Sequence, residues 1–488
     1  MLELLGAKDQ ACFLFASSQS AQECIDFSTS PRRNDGLERS PVDVNRISIR
    51  AFKAKYVFYA VIFPVEKRPV VGGFWVFPGS GLSSRFAEAI LKHLDGLQEI
   101  NISDNESAGE VVFQGSTHDA LSERILHYLE RAPLNPSLQP RPSSSDVYFF
   151  PTGMAAVYKP HSYLLKRHPG TTILFGMAFM HTSVLFEEIG AGYKFFGLGT
   201  DEDLVELAAF LRNETDHGRK INAIWAEFPA NPLLVTPNIT RLRELANEYD
   251  TILALDDTLG GFANIDITAM SDILVTSLTK SFNGYADVIA GCTILNPASR
   301  KYHELKSLFD QHYVPELYTG DAATILHNSA DYLSRTTKLN TNAHSLVTFL
   351  HSRAIEPTSA VRAVYYPSLN PSGSNYKNFM RPSTPSFTPG YGCLFSVEFD
   401  DLETTIAFYD NLNVHIGPHL GAPFTLAFAY NMIAYGKKLD WAARYGLRPT
   451  QIRVSAGLEE TEVLVEEFRR AVEKADEVKR RRKRGEGG

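Results

Sequence analysis

The sequence has few cysteines and no long apolar run near its start. Its four cysteines are scattered among 488 residues and form no C-x-x-C pair, namely Cys12, Cys24, Cys292 and Cys393. This excludes a disulfide scaffold and favours a reducing compartment. The longest apolar run in the first hundred residues, 56–63, ends at Pro64 and is too short to span a bilayer.

An excess of positive charge is also absent, since 48 Lys and Arg residues face 56 Asp and Glu residues, a net charge of −8. This balance gives no reason to expect binding to nucleic acid or to an acidic membrane. The first residues lack a basic stretch followed by an apolar one, so we expect a cytoplasmic protein. The 44% apolar content is that of a globular protein and excludes a wholly disordered chain.

The chain divides into three parts of different composition. No internal repeat of 20–50 residues is present, which excludes solenoids and propellers. A segment rich in Pro and Ser, 133–145, predicts a linker. We therefore expect an N-terminal segment over 1–145, a large domain over 146–330 and a smaller α+β domain with a basic tail over 331–488.

Apolar bursts alternate with amphipathic stretches in the large domain. The bursts predict strands at 171–175, 223–226, 251–255 and 272–276, and the stretches between them predict helices at 201–212 and 239–249. This alternation predicts an α/β fold with a mostly parallel sheet covered on both faces. Elsewhere the pattern predicts helices at 83–97, 336–352 and 460–479, and strands at 392–399 and 450–455.

Chemically active residues follow two of these strands, where ligands bind in such sheets. Asp256 follows 251–255, and a carboxylate there suits a metal site, a helix cap or a protonated ring nitrogen. Lys280 follows 272–276 between Ser277, Thr279 and Gly284. A lone Lys is usually a solvated surface residue, but these neighbours suit a phosphate beside an amine nucleophile. A metal site fits less well, because no ligand cluster accompanies the pair.

A second anion site is indicated at Thr152, Gly153 and Met154, where an apolar run leads into an Ala-rich helix start. Backbone N–H groups at a helix N-terminus bind anions. A Thr-Gly-Met sequence alone, however, usually indicates only a turn followed by a packed helix. A phosphate cradle, an amine nucleophile and an aspartate are together what pyridoxal phosphate requires.

At these residues the sequence resembles the cystathionine γ-synthase-like group of pyridoxal phosphate enzymes of cysteine and methionine metabolism, particularly its fungal branch. The resemblance runs from about residue 59 to 460 and rests on four segments: 227–233, 255–258, 277–291 and 453–459. It implies the fold type I, aminotransferase-like architecture.

The resemblance also implies roles for single residues around the cofactor. Lys280 would form the Schiff base and move protons, and Asp256 would hold the pyridine nitrogen. The phosphate would be held by Thr152, Gly153, Met154, Ser277 and Thr279, while Thr258 and Asn231 would lie beside the ring. In this family an Arg from the neighbouring subunit reaches the phosphate. Arg85 fits that place, so we expect residues 1–145 to contribute to the neighbour's site in a homodimer or homotetramer.

On the substrate side, the resemblance implies that Arg453 binds the α-carboxylate, with Asn231 nearby. Phe179 stands where the family usually stacks a Tyr over the cofactor, so the hydroxyl is lost. His419 stands where the family has a small hydroxyl residue, so an imidazole, a group that can titrate near neutrality, replaces the hydroxyl.

Three functions remain open from the sequence. The first is a transferase that replaces the γ-substituent of O-acetyl-L-homoserine with cysteine or with a carbon nucleophile such as a β-keto acid or ester. The second is a γ- or β-lyase of the same fold. The third is a non-catalytic binding protein, disfavoured because Lys280, Asp256, Asn231 and Arg453 are all retained. The basic run 479–484 predicts a solvated, disordered tail.

Overall fold

The computed structural model describes residues 9–33, 40–102 and 112–484. Within them the chain forms three packed units, each built on its own sheet. In the described part of the chain, every helix is too short or too polar to cross a membrane.

The middle unit is centred on a seven-stranded sheet. Its elements are α4 (Ser116–Glu130), β5 (Val147–Phe150), α5 (Gly153–Arg167), β6 (Thr171–Phe175), α6 (Met180–Glu188), β7 (Tyr193–Phe196), α7 (Asp201–Asp216), β8 (Ile221–Glu227), α8 (Ile239–Glu248), β9 (Ile252–Asp256), α9 (Gly261–Asn264), β10 (Ile273–Thr276), β11 (Gly291–Leu295), α10 (Tyr302–His312) and α11 (Thr319–Asn328). The strand order is β5-β11-β10-β9-β8-β6-β7, and β11 alone runs antiparallel to its neighbours. This confirms the predicted α/β fold.

Alternate side chains of these strands enter two different cores. In β9, for example, Leu253 and Leu255 lie in the core on one face, while Ile252 and Ala254 lie in the core on the other. Because successive side chains of a strand point to opposite faces, both faces must be apolar when both are covered. Buried strands of this kind give the continuous apolar bursts seen in the sequence.

The N-terminal unit contains β1 (Gln10–Phe15), α1 (Ser18–Thr29), β2 (Ser48–Ala54), β3 (Tyr56–Pro64), α2 (Arg68–Val76), α3 (Ser84–Leu91) and β4 (Gln98–Ile100). Its four strands form an antiparallel sheet in the order β1-β3-β2-β4. The predicted helix at 83–97 is shorter in the structure and ends at Leu91. Helix α4, although it precedes residue 145, packs in the core of the middle unit.

The C-terminal unit contains α12 (Tyr332–Ala354), β12 (Val361–Tyr365), α13 (Gly373–Asn378), β13 (Leu394–Phe399), α14 (Leu402–Asn411), β14 (His415–Ile416), β15 (Leu426–Phe428), α15 (Tyr430–Tyr435), α16 (Leu439–Ala443), β16 (Gln451–Ser455) and α17 (Thr461–Lys483). Its five strands pair in the order β12-β13-β16-β15-β14 and carry a separate apolar core.

The predicted disordered tail is wrong as far as residue 484. Helix α17 continues through Lys483, because its basic end is paired with acidic residues of the preceding elements. Lys479 Nζ lies 2.6 Å from Asp400, and Arg482 pairs with Asp401. Residues 485–488 lie outside the described part of the chain.

Candidate active site

A cleft of about 790 Å³ opens at the carboxyl edge of the seven-stranded sheet. Strands β8, β9 and β10 end there, as expected for a ligand site of an open α/β sheet. All the predicted site residues line this one cleft: Arg85, Thr152, Gly153, Met154, Phe179, Asn231, Asp256, Thr258, Ser277, Thr279, Lys280, His419 and Arg453.

One end of the cleft is formed by the first turn of α5. Thr152 caps this helix, because its hydroxyl oxygen accepts from the N–H of Ala155 at 2.9 Å. The N–H groups of Gly153 and Met154 begin the helix and are among those that lack an intrahelical acceptor. A Cβ on Gly153 would lie 2.6 Å from Ser277 Oγ, so only glycine lets the two segments approach. This arrangement suits an anion.

The two threonines beside this end have structural partners. Thr279 Oγ1 donates to the carbonyl of Ala290 at 3.1 Å and accepts from the Ala290 N–H at 3.0 Å. Thr258 Oγ1 accepts from the N–H of Ser277 at 2.8 Å. Both hydroxyls therefore fix the backbone around the cleft in addition to lining it.

Two carboxyl groups lie side by side on neighbouring strands, since Glu227 and Asp256 are paired in register at the ends of β8 and β9. Glu227 is buried and Asp256 is partly buried. Burial raises the pKa of Asp256, although the Thr258 N–H donates to its Oδ1 at 2.9 Å. Burial and then the charge of Asp256 raise the pKa of Glu227 to about 8. Keeping Asp256 ionised therefore calls for a cation next to it.

Glu227 also organises the backbone around it. Its Oε1 accepts from the N–H of Phe179 at 2.6 Å, and its Oε2 accepts from the N–H of Asn231 at 3.0 Å. The sequence motif at 227–233 contains Glu227, but sequence reasoning assigned it no role. Its position at the end of a strand, like that of Asp256, was the signal available.

Lys280 and His419 face each other across the cleft, with Lys280 Nζ 3.5 Å from His419 Nδ1, the long limit of a hydrogen bond. Burial, and then the charge of Arg453, lower the pKa of Lys280 to about 8. Burial, and then Lys280 and Arg453, lower the pKa of His419 to about 4. A neutral imidazole therefore faces the amine.

Arg453 is buried and held from several sides. Its Nη1 donates to Asn231 Oδ1 at 3.0 Å, and its Nη2 donates to the carbonyl of Pro418. The guanidinium lies 4.3 Å from the ring centre of Tyr430, a cation–π contact. The Tyr430 hydroxyl also accepts from Asn231 Nδ2 at 3.0 Å. Sequence reasoning missed Tyr430, because it begins a short helix outside every recognised motif.

Arg85 lies in the cleft of its own chain. Its Nη1 donates to the carbonyl of Asp287 at 2.7 Å and lies 3.3 Å from Asp321 Oδ1. The placement of Arg85 in a neighbouring subunit's site stays a prediction. Asp287 and Asp321 were not identified from the sequence, because they come from segments distant from Arg85 along the chain.

The mouth of the cleft carries exposed apolar side chains from two units. Trp75 and Val76 come from α2, while Phe179 and Ile289 come from the middle unit. Their exposed fractions lie between 36% and 59%. A molecule entering the cleft therefore passes an apolar rim before it reaches Lys280.

These features fit pyridoxal phosphate. The helix N-terminus at Gly153 suits its phosphate, and the amine of Lys280 suits its aldehyde. A protonated pyridine nitrogen beside Asp256 is the cation that keeps this carboxyl group ionised.

Comparisons with known proteins agree with this geometry. Residues 134–473 match the family described as "Cys/Met metabolism PLP-dependent enzyme", and residues 1–83 match "Fungal trans-sulfuration enzyme, N-terminal domain". A cystathionine gamma-synthase-like enzyme of Amanita muscaria is 33% identical, covering 91% of this chain and 80% of its own length. An alanine racemase of Aspergillus violaceofuscus is 32% identical, covering 86% of this chain and 74% of its own length.

Among solved structures, a cystathionine gamma synthase from Xanthomonas oryzae pv. oryzae in complex with aminoacrylate and cysteine shares the fold. It is 20% identical, covers 77% of this chain and 90% of its own, and has a TM-score of 0.62. The predicted family, fold and cofactor are confirmed. The chain belongs to the Cys/Met metabolism family of pyridoxal phosphate-dependent enzymes and is similar to its cystathionine γ-synthase-like members.

Proposed function

We propose that this enzyme replaces the γ-substituent of an O-acyl-L-homoserine with a thiol or a carbon nucleophile. The acyl group that we propose is acetyl. One observation carries the proposal: the Lys280 amine and the Arg453 guanidinium line one cleft and are close enough for the charge of Arg453 to lower the pKa of Lys280. A carboxylate binding site beside an amine base suits an amino-acid substrate. The relatives described as cystathionine γ-synthase-like support this substrate class.

Bound pyridoxal phosphate supplies an aldehyde for the substrate amine and a ring that accepts electrons from Cα. We assign its phosphate to the N-terminus of α5 and Ser277, its pyridine nitrogen to Asp256, and one face of its ring to Phe179. Thr258 and Thr279 support this site through the backbone groups that they bind.

Arg453 binds the substrate α-carboxylate in a bidentate pair, with Asn231 as its neighbour. This fixes Cα with its hydrogen towards Lys280 Nζ, which accepts that proton and returns it later. A pKa of about 8 leaves part of Lys280 neutral at pH 7 to 8, as a base requires. In the net reaction acetate leaves from Cγ, the nucleophile forms its bond to Cγ, and the proton of the nucleophile is released.

Both nucleophile classes remain part of the proposal. Cysteine would give cystathionine, and a β-keto acid or ester would give a new carbon–carbon bond. The apolar rim at Trp75, Val76 and Ile289 favours a nucleophile with an apolar body. The neutral imidazole of His419 lies beside Lys280, with its Nδ1 3.5 Å from the amine nitrogen.

The test is a nucleophile panel with O-acetyl-L-homoserine, in which products are identified by mass spectrometry. Cysteine, an alkyl thiol and a β-keto ester are supplied separately, with the variant Lys280→Ala as the inactive control. We expect a γ-substituted amino acid with at least one nucleophile. Release of 2-oxobutyrate at the same rate with and without every nucleophile would support a γ-lyase instead.

The racemase relative suggests a second activity, which the cleft supports less well. Racemisation by two bases needs a proton carrier on each face of Cα. Phe179, which we assign to one face of the ring, carries no exchangeable proton. Incubating the enzyme with L-alanine and measuring D-alanine tests this activity directly, and we expect no turnover.

A further inference from the structure

We propose that Tyr430 is a positioning residue, which holds the Arg453 guanidinium in the orientation that binds the α-carboxylate of the substrate. The proposal rests on one part of the proposed function, the assignment of that carboxylate to Arg453. The described residues that line the cleft include Arg453 but not Tyr430. Tyr430 therefore acts through the arginine and does not contact the substrate.

The charge of Arg453 is buried among neutral groups. The residue is 4% exposed, and its guanidinium donates to Asn231 Oδ1 at 3.0 Å and to the carbonyl of Pro418. These acceptors carry no charge, so they orient the guanidinium without neutralising it. A carboxylate that enters the cleft is then the anion that offsets the buried charge.

The ring of Tyr430 supports this guanidinium from one side. Arg453 Cζ lies 4.3 Å from the ring centre, within the range of a cation–π contact. Tyr430 is only 3% exposed and belongs to an apolar cluster that includes Met177 and Leu233 of the middle unit. Because packing fixes the ring, it offers the guanidinium a rigid face.

The hydroxyl of Tyr430 fixes the same guanidinium by a second route. Its oxygen accepts from Asn231 Nδ2 at 3.0 Å, while Asn231 Oδ1 accepts from Arg453 Nη1 at 3.0 Å. An amide group has an acceptor oxygen on one side and a donor nitrogen on the other. An acceptor at Asn231 Nδ2 therefore keeps the amide oxygen turned towards the arginine.

The same hydroxyl connects the C-terminal unit to the middle unit. It accepts at 3.4 Å from the N–H of Met180, in the first turn of α6, where N–H groups lack an intrahelical acceptor. Tyr430 and Arg453 belong to the C-terminal unit, whereas Met180 and Asn231 belong to the middle unit. Tyr430 therefore holds the guanidinium against the unit that carries Lys280.

The first experiment compares binding of L-norleucine and L-norleucinamide to the holoenzyme, followed by the visible absorbance of the lysine-bound cofactor. The two ligands differ at the α-carboxyl group, and neither has a leaving group at Cγ. We expect the wild type to prefer the carboxylate. Tyr430→Phe should reduce this preference roughly 3- to 10-fold, the effect of losing one hydrogen bond. Tyr430→Leu, which also lacks the ring, should reduce it by a further factor of roughly 3 to 30.

Tyr302→Phe is the matched control. It removes a hydroxyl that donates to Asp146 at 2.7 Å, at the start of β5 and away from the cleft, and it should keep the wild-type preference. A preference unchanged in both Tyr430 variants, or an equal loss of affinity for both ligands, would overturn the proposal. Equal binding of the two ligands by the wild type would overturn it together with the assignment of the carboxylate to Arg453.

The second experiment tests whether Tyr430 acts through Arg453. Tyr430→Phe is combined with Arg453→Gln, and the preference of the double variant is compared with that of Arg453→Gln alone. We expect no further loss, because the guanidinium that Tyr430 holds is absent. A further loss as large as that in the wild-type background would overturn the proposal. Both experiments measure binding alone, so a preference that depends on Tyr430 stands even if the nucleophile panel gives no γ-substituted product.

Discussion

The amine of Lys280 lies in surroundings that disfavour its protonated form. Burial is the larger cause and the charge of Arg453 the smaller one, and together they lower its pKa from 10.5 to about 8. Since only the neutral amine attacks an aldehyde, cofactor capture by the apo protein should accelerate as the pH rises through this value.

Arg453→Gln should move that acceleration to higher pH, because one of the two causes of the low pKa is removed. The measurement is the pH profile of the rate at which the visible absorbance of the lysine-bound cofactor forms. Arg448→Gln, at a half-exposed arginine that pairs with Glu398, is the control and should leave the profile unchanged. Equal profiles for the wild type and Arg453→Gln would contradict the electrostatic account of Lys280.

Glu227 acts as a positioning residue for the backbone beside the cleft. Its two carboxyl oxygens accept from the N–H groups of Phe179 and Asn231, so it fixes the residue assigned to the ring face and the neighbour of Arg453 together. In Glu227→Gln one of these N–H groups faces an amide NH₂, which cannot accept. We expect a loss of about 1–3 kcal/mol in the free energy of unfolding.

The raised pKa of Glu227 makes the free energy of unfolding depend on pH. Because its pKa rises from 4.5 to about 8 on folding, the folded state holds a proton that the unfolded state has released. The contribution of Glu227 to the free energy of unfolding is therefore greatest below pH 4.5 and is lost as the pH rises to about 8.

Urea denaturation of the apo protein at pH 5 and pH 8 measures this effect. The wild type should lose more stability between these values than Glu227→Gln, in which the titrating group is gone while Asp256 remains. An equal loss in both proteins would contradict the assignment of the raised pKa to Glu227.

At the scale of elements, the start of α5 depends on close contact with the segment after β10. A Cβ on Gly153 would lie 2.6 Å from Ser277 Oγ and 2.7 Å from its Cβ, so Gly153→Ala must push the two segments apart. We expect cofactor binding to weaken roughly tenfold or more, the loss of about one charge-assisted hydrogen bond. Titration of the apo protein measures it, with Gly96→Ala, which meets open space, as the control. Unchanged affinity in Gly153→Ala would show that this contact does not shape the site.

The strands around the cleft could be predicted because each depends on a short apolar run of neighbouring residues. The apolar runs of β6, β8, β9 and β10 lie at the predicted places within one or two residues. Asp256 is the last residue of β9, and Lys280 lies in the turn after β10. The N-terminal sheet was not predicted, since its β1-β3-β2-β4 pairing depends on contacts distant along the chain and β4 has only three residues. Tyr430 and Asp321 were missed for the same reason, because folding alone brings Tyr430 to Arg453 and Asp321 to the cleft.

At the scale of the whole molecule, the N-terminal and middle units share one apolar core. A substitution that destabilises this core should therefore also weaken cofactor binding in the cleft. Phe74 lies between Tyr158 on α5 and Phe27 on α1, with ring centres within 5.7 Å of its own. Phe74→Ala should lower the free energy of unfolding by about 3–5 kcal/mol through the cavity it leaves. Denaturant unfolding measures it, and Leu91→Ala, 61% exposed on α3, should change it by less than about 0.5 kcal/mol.

Cofactor affinity should fall together with stability in Phe74→Ala, because α2 leads into residues 79–85, which line the cleft. A variant that loses stability while binding the cofactor as the wild type does would contradict the coupling between the core and the cleft.

The proposed γ-replacement requires the cleft to couple departure of the γ-substituent to addition of a nucleophile at the same carbon. The most direct measurement follows acetate release and the amino-acid product in one reaction of O-acetyl-L-homoserine with the best nucleophile of the panel. The account predicts one γ-substituted amino acid for each acetate released, and neither product from Lys280→Ala. Acetate matched instead by equal amounts of ammonia and 2-oxobutyrate, or no acetate at all, would contradict it.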